Sequence, residues 1–350
     1  MTNTVLAIIV CILSTIITTS VILFIIVNTL EIIYSNTQID AVMTYVDGNN
    51  INFQKQIEEY SDSNRDSAND NGYTKNSKKH WRWSNCNEAK YSLLSIKRHA
   101  PFFRKIWLVM PDETHIPSWL NEVNTFSGPK IDIVYHYQFY KNTKHLPTFN
   151  SMSIEHNLHR IHDLTEHFVY FNDDCFIGKD LTKQDFLVNN KIVIGLEKGT
   201  TSPRGDYNIS DIGFNSAWKN TNNLLDTLSS STNREIIKHI PQIQRKSDHQ
   251  KIIELFPEAY EKTSSSRFRN KHCNLMSAGL AEWYSIHNNT AIIDYSNDYV
   301  QAFVTDNYIQ NEKNFEMLLK NKYKFINLQS SMTTNKNNTQ FEQFMKDYFT

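Results

Sequence analysis

Residues 172–174 read Asn-Asp-Asp directly after an apolar run. Two adjacent carboxylates there repel each other unless a proton or a cation offsets the charge. The ordinary solution is a hard divalent ion, Mg²⁺ or Mn²⁺, held by Asp173 and Asp174 together with phosphate oxygens. Upstream, Glu155 and His159 stand at helical spacing, on the face opposite Ile154, Leu158 and Ile161. Farther on, His239-Ile240-Pro241 offers a proton carrier for neutral pH, and Arg267-Phe268-Arg269 offers guanidinium forks for phosphate oxygens. Each feature also has a plain reading: a solvated turn, an exposed Glu–His pair, and structural His and Arg side chains in a chain that holds 13 histidines. From residue types and spacing alone, the chain is an α/β protein with an acidic metal site.

Such groups need rigid supports. Ile39–Val46 (IDAVMTYV) has strand composition and ends at the turn Asp47-Gly48. Asn87–His99 reads as a helix stopped by Pro101, and Ile106–Met110 and Ile131–Tyr135 as short buried strands. Pro147 opens a loop, Asn150 or Ser151 caps the helix that carries Glu155, and Phe168–Phe171 is a strand running into Asn172. Strands alternating with helices predict an α/β sheet, whose ligands sit off the carboxyl ends of the strands. Asp47 and the Asp173-Asp174 pair both occupy that kind of position. Beyond residue 190 the pattern weakens: Lys191–Leu196 reads as a strand, 199–210 and 220–233 as loops, and Asp248–Phe256 as a short helix ended by Pro257.

Composition narrows the classes. Thirty-six basic against 37 acidic side chains leave a net charge of −1, which gives no electrostatic footprint for nucleic acid. Twelve per cent aromatics excludes a disordered chain, and 350 residues suffice for a sizeable core. The uncharged run Val5–Val27 predicts one N-terminal transmembrane helix rather than a cleaved signal peptide, since it is long and no Lys or Arg precedes it. Its hydroxyl residues can bond back to helix carbonyls. Cys86, Cys175 and Cys273 read as free buried thiols, because no C-x-x-C spacing exists. The sequons at Asn208, Asn288 and Asn337 are compatible with a secretory lumen.

At these residues the sequence resembles the Stealth family, which comprises capsular-polysaccharide phosphotransferases and the α/β subunit of N-acetylglucosamine-1-phosphotransferase. The first block resembles IDAVMTYVDGNN (39–50). The second resembles residues 87–121 and 146–181, and the third HIPQIQRKSDHQKIIELFPEAY followed by SSRFRN (239–270). The resemblance implies a Rossmann-like, nucleotide-sugar-transferase-like sheet with flanking helices. It implies transfer of a hexose-1-phosphate, of the GlcNAc-1-phosphate kind, from a UDP-sugar to a hydroxyl of a glycan or glycoprotein acceptor, with release of UMP. Carried over, the catalytic set is Glu155, Asp174, His239 and Arg269; substrate contacts fall on Asp47, Gly48, Asn150, Ser151 and Arg267, and the metal on Asp173 and Asp174. His239 and Glu155 both remain open as the base.

The family's pattern has Arg where this chain has Leu94 and Trp where it has Tyr45, and its fourth block survives only as KYKFINLQSS (322–331). A metal-dependent glycosyltransferase moving the sugar alone, and an inactive glycan-binding member, are the rival readings. The expected organisation is an anchor over 1–34, a phosphotransferase domain over 35–328 with a mobile loop at 61–80, and a polar tail over 329–350. The implied placement is a single-pass membrane protein, preferably type II, facing a Golgi- or ER-like lumen if the source is eukaryotic or viral. A homo-oligomer is open.

Overall fold

A computed structural model describes residues 12–25, 37–62, 86–208, 210–229, 233–332 and 338–350. The chain divides into two units, residues 1–38 and 39–350. In the first, residues 12–25 form a helix. The Thr18 and Thr19 hydroxyls donate to the carbonyls of Ser14 and Thr15 at 2.8 and 2.9 Å, so the polar residues do not interrupt it. Among the described residues, no helix is long and apolar enough to cross a membrane. The expected transmembrane helix over Val5–Val27, and the single-pass type II placement built on it, are corrected on that finding. The two ends of that run, and most of the loop expected at 61–80, lie outside the described residues.

The second unit is mixed α/β. Its strands in chain order are β1 (Ile39–Thr44), β2 (Lys105–Met110), β3 (Lys130–Tyr135), β4 (His167–Phe171), β5 (Cys175–Ile177), β6 (Leu187–Val188), β7 (Lys191–Thr201), β8 (Glu235–Ile237), β9 (Gln242–Arg245), β10 (Ala291–Asp294), β11 (Tyr299–Val304) and β12 (Phe325–Ser330). The main sheet has the order β3-β2-β1-β4-β9. Its first four strands are parallel and β9 is antiparallel to β4. β1, β2 and β4 are almost wholly buried and mostly apolar, as strands covered on both faces must be, while the edge strand β3 is only partly buried. On one face Val42, Trp107, Val109, Phe168 and Tyr170 pack with Leu158, Ile161 and Leu164.

Chain order reverses between β1 and β4: the strands first run out through β2 and β3, then return to the other side of β1. A crevice opens at such a switch point, off the carboxyl ends of the two strands. Two smaller sheets flank this one, β10-β7-β6 with β8 on β7, and β11-β12-β5.

Several elements differ from the sequence reading. Gly213–Asp226 is a helix where loop was expected from 220 on, held by burial of Ala217, Trp218, Thr221 and Leu225 on one face. Strand β7 extends to Thr201, into the segment expected as loop. Pro257 starts a new helix, Pro257–Ser264, at its first turn, where its missing N–H costs nothing. Asn338–Phe349 is helical, with Phe341, Phe344, Met345 and Phe349 buried. The three described cysteines are free and buried.

Candidate active site

Strands β1 and β4 are adjacent and in register, Met43 opposite Phe171, so the loops that leave them face the same crevice. After β1, Asp47 Oδ1 accepts from Asn49 N–H at 3.0 Å, and its own N–H donates to His115 Nδ1 at 3.1 Å. The Gly48 carbonyl accepts from Gln54 Nε2 at 2.9 Å. After β4 the chain turns through Asn172, Asp173 and Asp174 into β5, which is antiparallel to β12 with Cys175 opposite Asn327. The Asp174 carbonyl accepts from Leu328 N–H at 3.0 Å and from Asn327 Nδ2 at 3.1 Å, which fixes the acidic turn from behind.

Antiparallel pairing places Gln242 of β9 opposite Tyr170, so His239, just before β9, lies beside the end of β4. Its Nε2 is 3.6 Å from Asp174 Oδ1 and 3.0 Å from Asn172 Nδ2, and its Nδ1 is 2.9 Å from Gln329 Nε2. The Tyr170 hydroxyl donates to Asn172 Oδ1 at 3.0 Å and lies 3.1 Å from Thr44 Oγ1. Asp174 and His239 keep 21% and 34% of their side chains exposed, enough to meet a ligand.

A drier group forms across Tyr170. Asn150 caps the helix Ser151–Glu155, its Oδ1 accepting from Met152 N–H at 3.2 Å. Phe268 is fully buried and stacks on Phe149 at 4.9 Å, so the flanking Arg267 and Arg269 are fixed by an apolar anchor. Arg269 Nη2 donates to Ser151 Oγ at 2.9 Å, and the buried Glu155 carboxyl is close enough for the charge of Arg269 and the Ser151 side chain to lower its pKa against burial. The helix stops at Glu155 and a separate turn, Leu158–Arg160, follows. His159 is therefore not an exposed partner of Glu155: it is buried with its ring 5.8 Å from that of His249.

The electrostatics separate these groups. Burial pushes the Asp173 carboxyl up, and the charges of Asp174 and Glu88 push it further. Burial raises Glu155 to about 7, against the pull of Arg269, and raises Glu88 and Glu282 to about 7 as well. Arg269 is lowered by burial and partly restored by Glu155. Tyr170 stands between, within reach of the charges of both Glu155 and Asp173.

Donor atoms of Asp174, Cys175 and His239 lie within 4.8 Å of one another. Burial holds the Cys175 thiol protonated, well above its ordinary range, so it is a poor ligand. What remains is Asp174 with His239, and the adjacent Asp173 adds negative charge that a hard cation would offset.

Of the residues singled out in the sequence, the structure brings His239 to Asp174, next in the chain to Asp173, and separately brings Arg269 to Ser151 on the helix that carries Glu155. Arg267 is turned elsewhere, donating to the carbonyls of Lys144 and Leu146 at 3.1 and 3.2 Å, and lies over the Tyr60 ring. Asn150 is buried as a cap and as a donor to the Ser266 carbonyl at 3.0 Å. Leu94, where the family pattern has Arg, is buried, and Tyr45, in place of Trp, packs edge-on to Trp119. Sequence reasoning missed Glu88, Tyr170 and Gln329. Glu88 opens a helix and Tyr170 alternates within an apolar strand, so neither departs from structural expectation. Gln329 stands in the fourth block, KYKFINLQSS, within which the sequence reading singled out no site residue.

Comparison with known proteins places these residues in context. The family description of Stealth protein conserved region 2 matches residues 82–194, and that of conserved region 3 matches residues 238–278. An exopolysaccharide phosphotransferase of Streptomyces coelicolor is 34% identical over 254 residues, covering 73% of this chain and 41% of that protein. A capsular polysaccharide phosphotransferase of Haemophilus influenzae is 33% identical over 249 residues, covering 67% of this chain and 61% of that protein. The α/β subunits of human N-acetylglucosamine-1-phosphotransferase are 44% identical over 110 residues, covering 31% of this chain and 8% of that protein. The chain spans 41% and 39% of the length of two Streptomyces coelicolor exopolysaccharide phosphotransferases that it matches.

Proposed function

Because the chain belongs to the Stealth family by its conserved regions 2 and 3, we propose that it is a polysaccharide phosphotransferase. In this reading it moves a hexose-1-phosphate, of the GlcNAc-1-phosphate kind, from a UDP-sugar to a hydroxyl of an acceptor glycan. The acceptor oxygen attacks the phosphorus that bears the sugar, the bond from that phosphorus to the bridging oxygen breaks, and UMP leaves. The observation that carries the reading is that His239 lies 3.6 Å from Asp174 at the carboxyl end of β4, while Tyr170 of that strand is within reach of the charge of Glu155, and Arg269 is held on Ser151 of the Glu155 helix.

Asp173 and Asp174 would hold Mg²⁺ or Mn²⁺, which when bound neutralises diphosphate charge. His239 takes the proton of the attacking hydroxyl: it is one-third exposed, whereas Glu155 is buried. Glu155 and Ser151 instead aim Arg269, whose guanidinium meets phosphate oxygens as charge develops. Ready contact with water suits the base, and exclusion from water strengthens the clamp. Asp47 and Gly48, on the neighbouring turn, line the donor side.

A screen of UDP-sugars with a capsular-type glycan acceptor and Mg²⁺ or Mn²⁺, scored by UMP release, tests this. Acceptor-dependent UMP that disappears in Asp174→Asn is the expected result. UDP as the nucleotide product would make the protein a glycosyltransferase, and glycan binding without turnover would make it an inactive member.

A further inference from the structure

His239 has a carboxamide against each ring nitrogen, Asn172 at Nε2 and Gln329 at Nδ1, at 3.0 and 2.9 Å. A neutral imidazole donates from one nitrogen and accepts at the other, so the two amides cannot both present NH₂ groups to it. Which one yields follows from their own partners. With Asn172 oriented so that its Oδ1 accepts from the Tyr170 hydroxyl at 3.0 Å, its NH₂ is turned toward Nε2. The Nε2 lone pair is therefore the acceptor, and the ring proton sits on Nδ1. Gln329 has no such anchor among the described hydrogen bonds, and a half-turn of its amide brings Oε1 to face Nδ1 at the same separation.

We infer that Gln329 is a positioning residue for the phosphotransfer: its amide oxygen accepts the Nδ1 proton of His239 and so keeps the basic lone pair on Nε2, the nitrogen facing Asp174. This deepens the function proposed above and rests on it. Gln329 lies on β12, in a different sheet from β9, the strand that follows His239. Register places it there: Asn327 pairs with Cys175, so Gln329, two residues on, projects past the acidic turn toward the imidazole. The fourth block thus contributes through an amide two residues beyond Asn327, although position 328 is a fully buried Leu. Without Gln329, the proton is free to move to Nε2, and the lone pair then faces the second sheet instead of the crevice.

Tautomers are read directly from ¹⁵N–¹H correlation spectra of the full chain labelled at histidine, with His239 assigned by its loss in His239→Gln. At a pH where the ring is neutral, His239 should carry its proton on Nδ1. In Gln329→Leu the Nε2–H form should become populated, with kcat down about tenfold, KM for the UDP-sugar within twofold and the melting temperature unchanged. A wild-type ring protonated on Nε2 overturns the inference, as does a Leu variant that leaves both tautomer and kcat in place. The wild-type spectrum decides even where the Leu variant is unstable. If no donor supports turnover, the proposed function fails, while the spectrum still tells whether Gln329 sets the tautomer.

Discussion

The two ends of the central strands treat buried acid differently. At the start of β1, Asp40 is fully buried and completely partnered: Arg104 Nε and Nη2 reach it at 2.9 and 2.7 Å, Trp107 Nε1 at 2.9 Å and Thr165 N–H at 3.2 Å. Arg104 is held above its ordinary range, hydrogen-bonded to Asp40 and Asp163. At the far end, after β4, Asp173 and Asp174 face each other and Glu88, and among the described residues no lysine or arginine pairs with either. The first arrangement is closed and contributes stability. The second is left short of positive charge, which costs stability and leaves room for a cation and a diphosphate to supply it. The same chemical group thus reads as structure or as function according to whether its partners come with the chain.

Substitutions at the two ends sharpen the contrast. The largest effect should come from Asp174→Asn, with turnover falling about 10³-fold and the melting temperature unchanged or raised, as the like-charge repulsion is relieved. Chelation should abolish wild-type turnover and Mg²⁺ or Mn²⁺ restore it. A large loss of melting temperature in Asp174→Asn would erase the distinction drawn above. Asp40→Asn should do the reverse, costing about 3 kcal/mol of stability by denaturant titration while the folded fraction turns over normally.

Arg269→Lys should follow, keeping the charge but losing the fork that meets Ser151. A drop of about tenfold to a hundredfold in kcat, with stability little changed, is expected. An insoluble Lys variant would move Arg269 to the structural side of the comparison.

The smallest effect concerns pH. Glu88, Glu155 and Glu282 are each raised from 4.5 to about 7 by burial. Between those values the native state keeps protons that the unfolded chain has released. Their contribution is therefore complete below about pH 4.5 and is lost as pH rises through 7. Glu155→Gln should remove this group's share, so that the melting temperature falls less, or rises more, across that window than in the wild type. An unchanged slope would mean that Glu155 is already ionised against Arg269 in the native state.

Much of the architecture was legible because the main sheet is buried on both faces. Strands β1 to β4 are rich in apolar and β-branched residues, and the expected segments differ from the observed ones by one or two residues at their ends. The acidic turn was legible for the same reason, since it sits where such a run stops. Helix Gly213–Asp226 was not: its Asn and Thr content disfavours helix locally, and burial of Trp218 and its neighbours overrides that. Glu155 and His159 misled because helical spacing was extended past Glu155, where the chain changes to a tighter turn. The contacts of Gln329 and Tyr170 depend on pairings between distant strands, which no local pattern carries. The hydrophobic run near the N-terminus read as a membrane span by composition, while the helix described within it covers residues 12–25.

The central claim concerns which bond breaks. A UDP-sugar carrying isotope in the phosphate next to the sugar should be incubated with the protein, a divalent metal and an acceptor glycan, and the products separated. Label in the glycan as a phosphodiester, with unlabelled UMP released in equal amount, is the result predicted by a crevice that clamps phosphate between Arg269 and the Asp173-Asp174 pair. Label retained in UDP, with sugar alone on the acceptor, would contradict it.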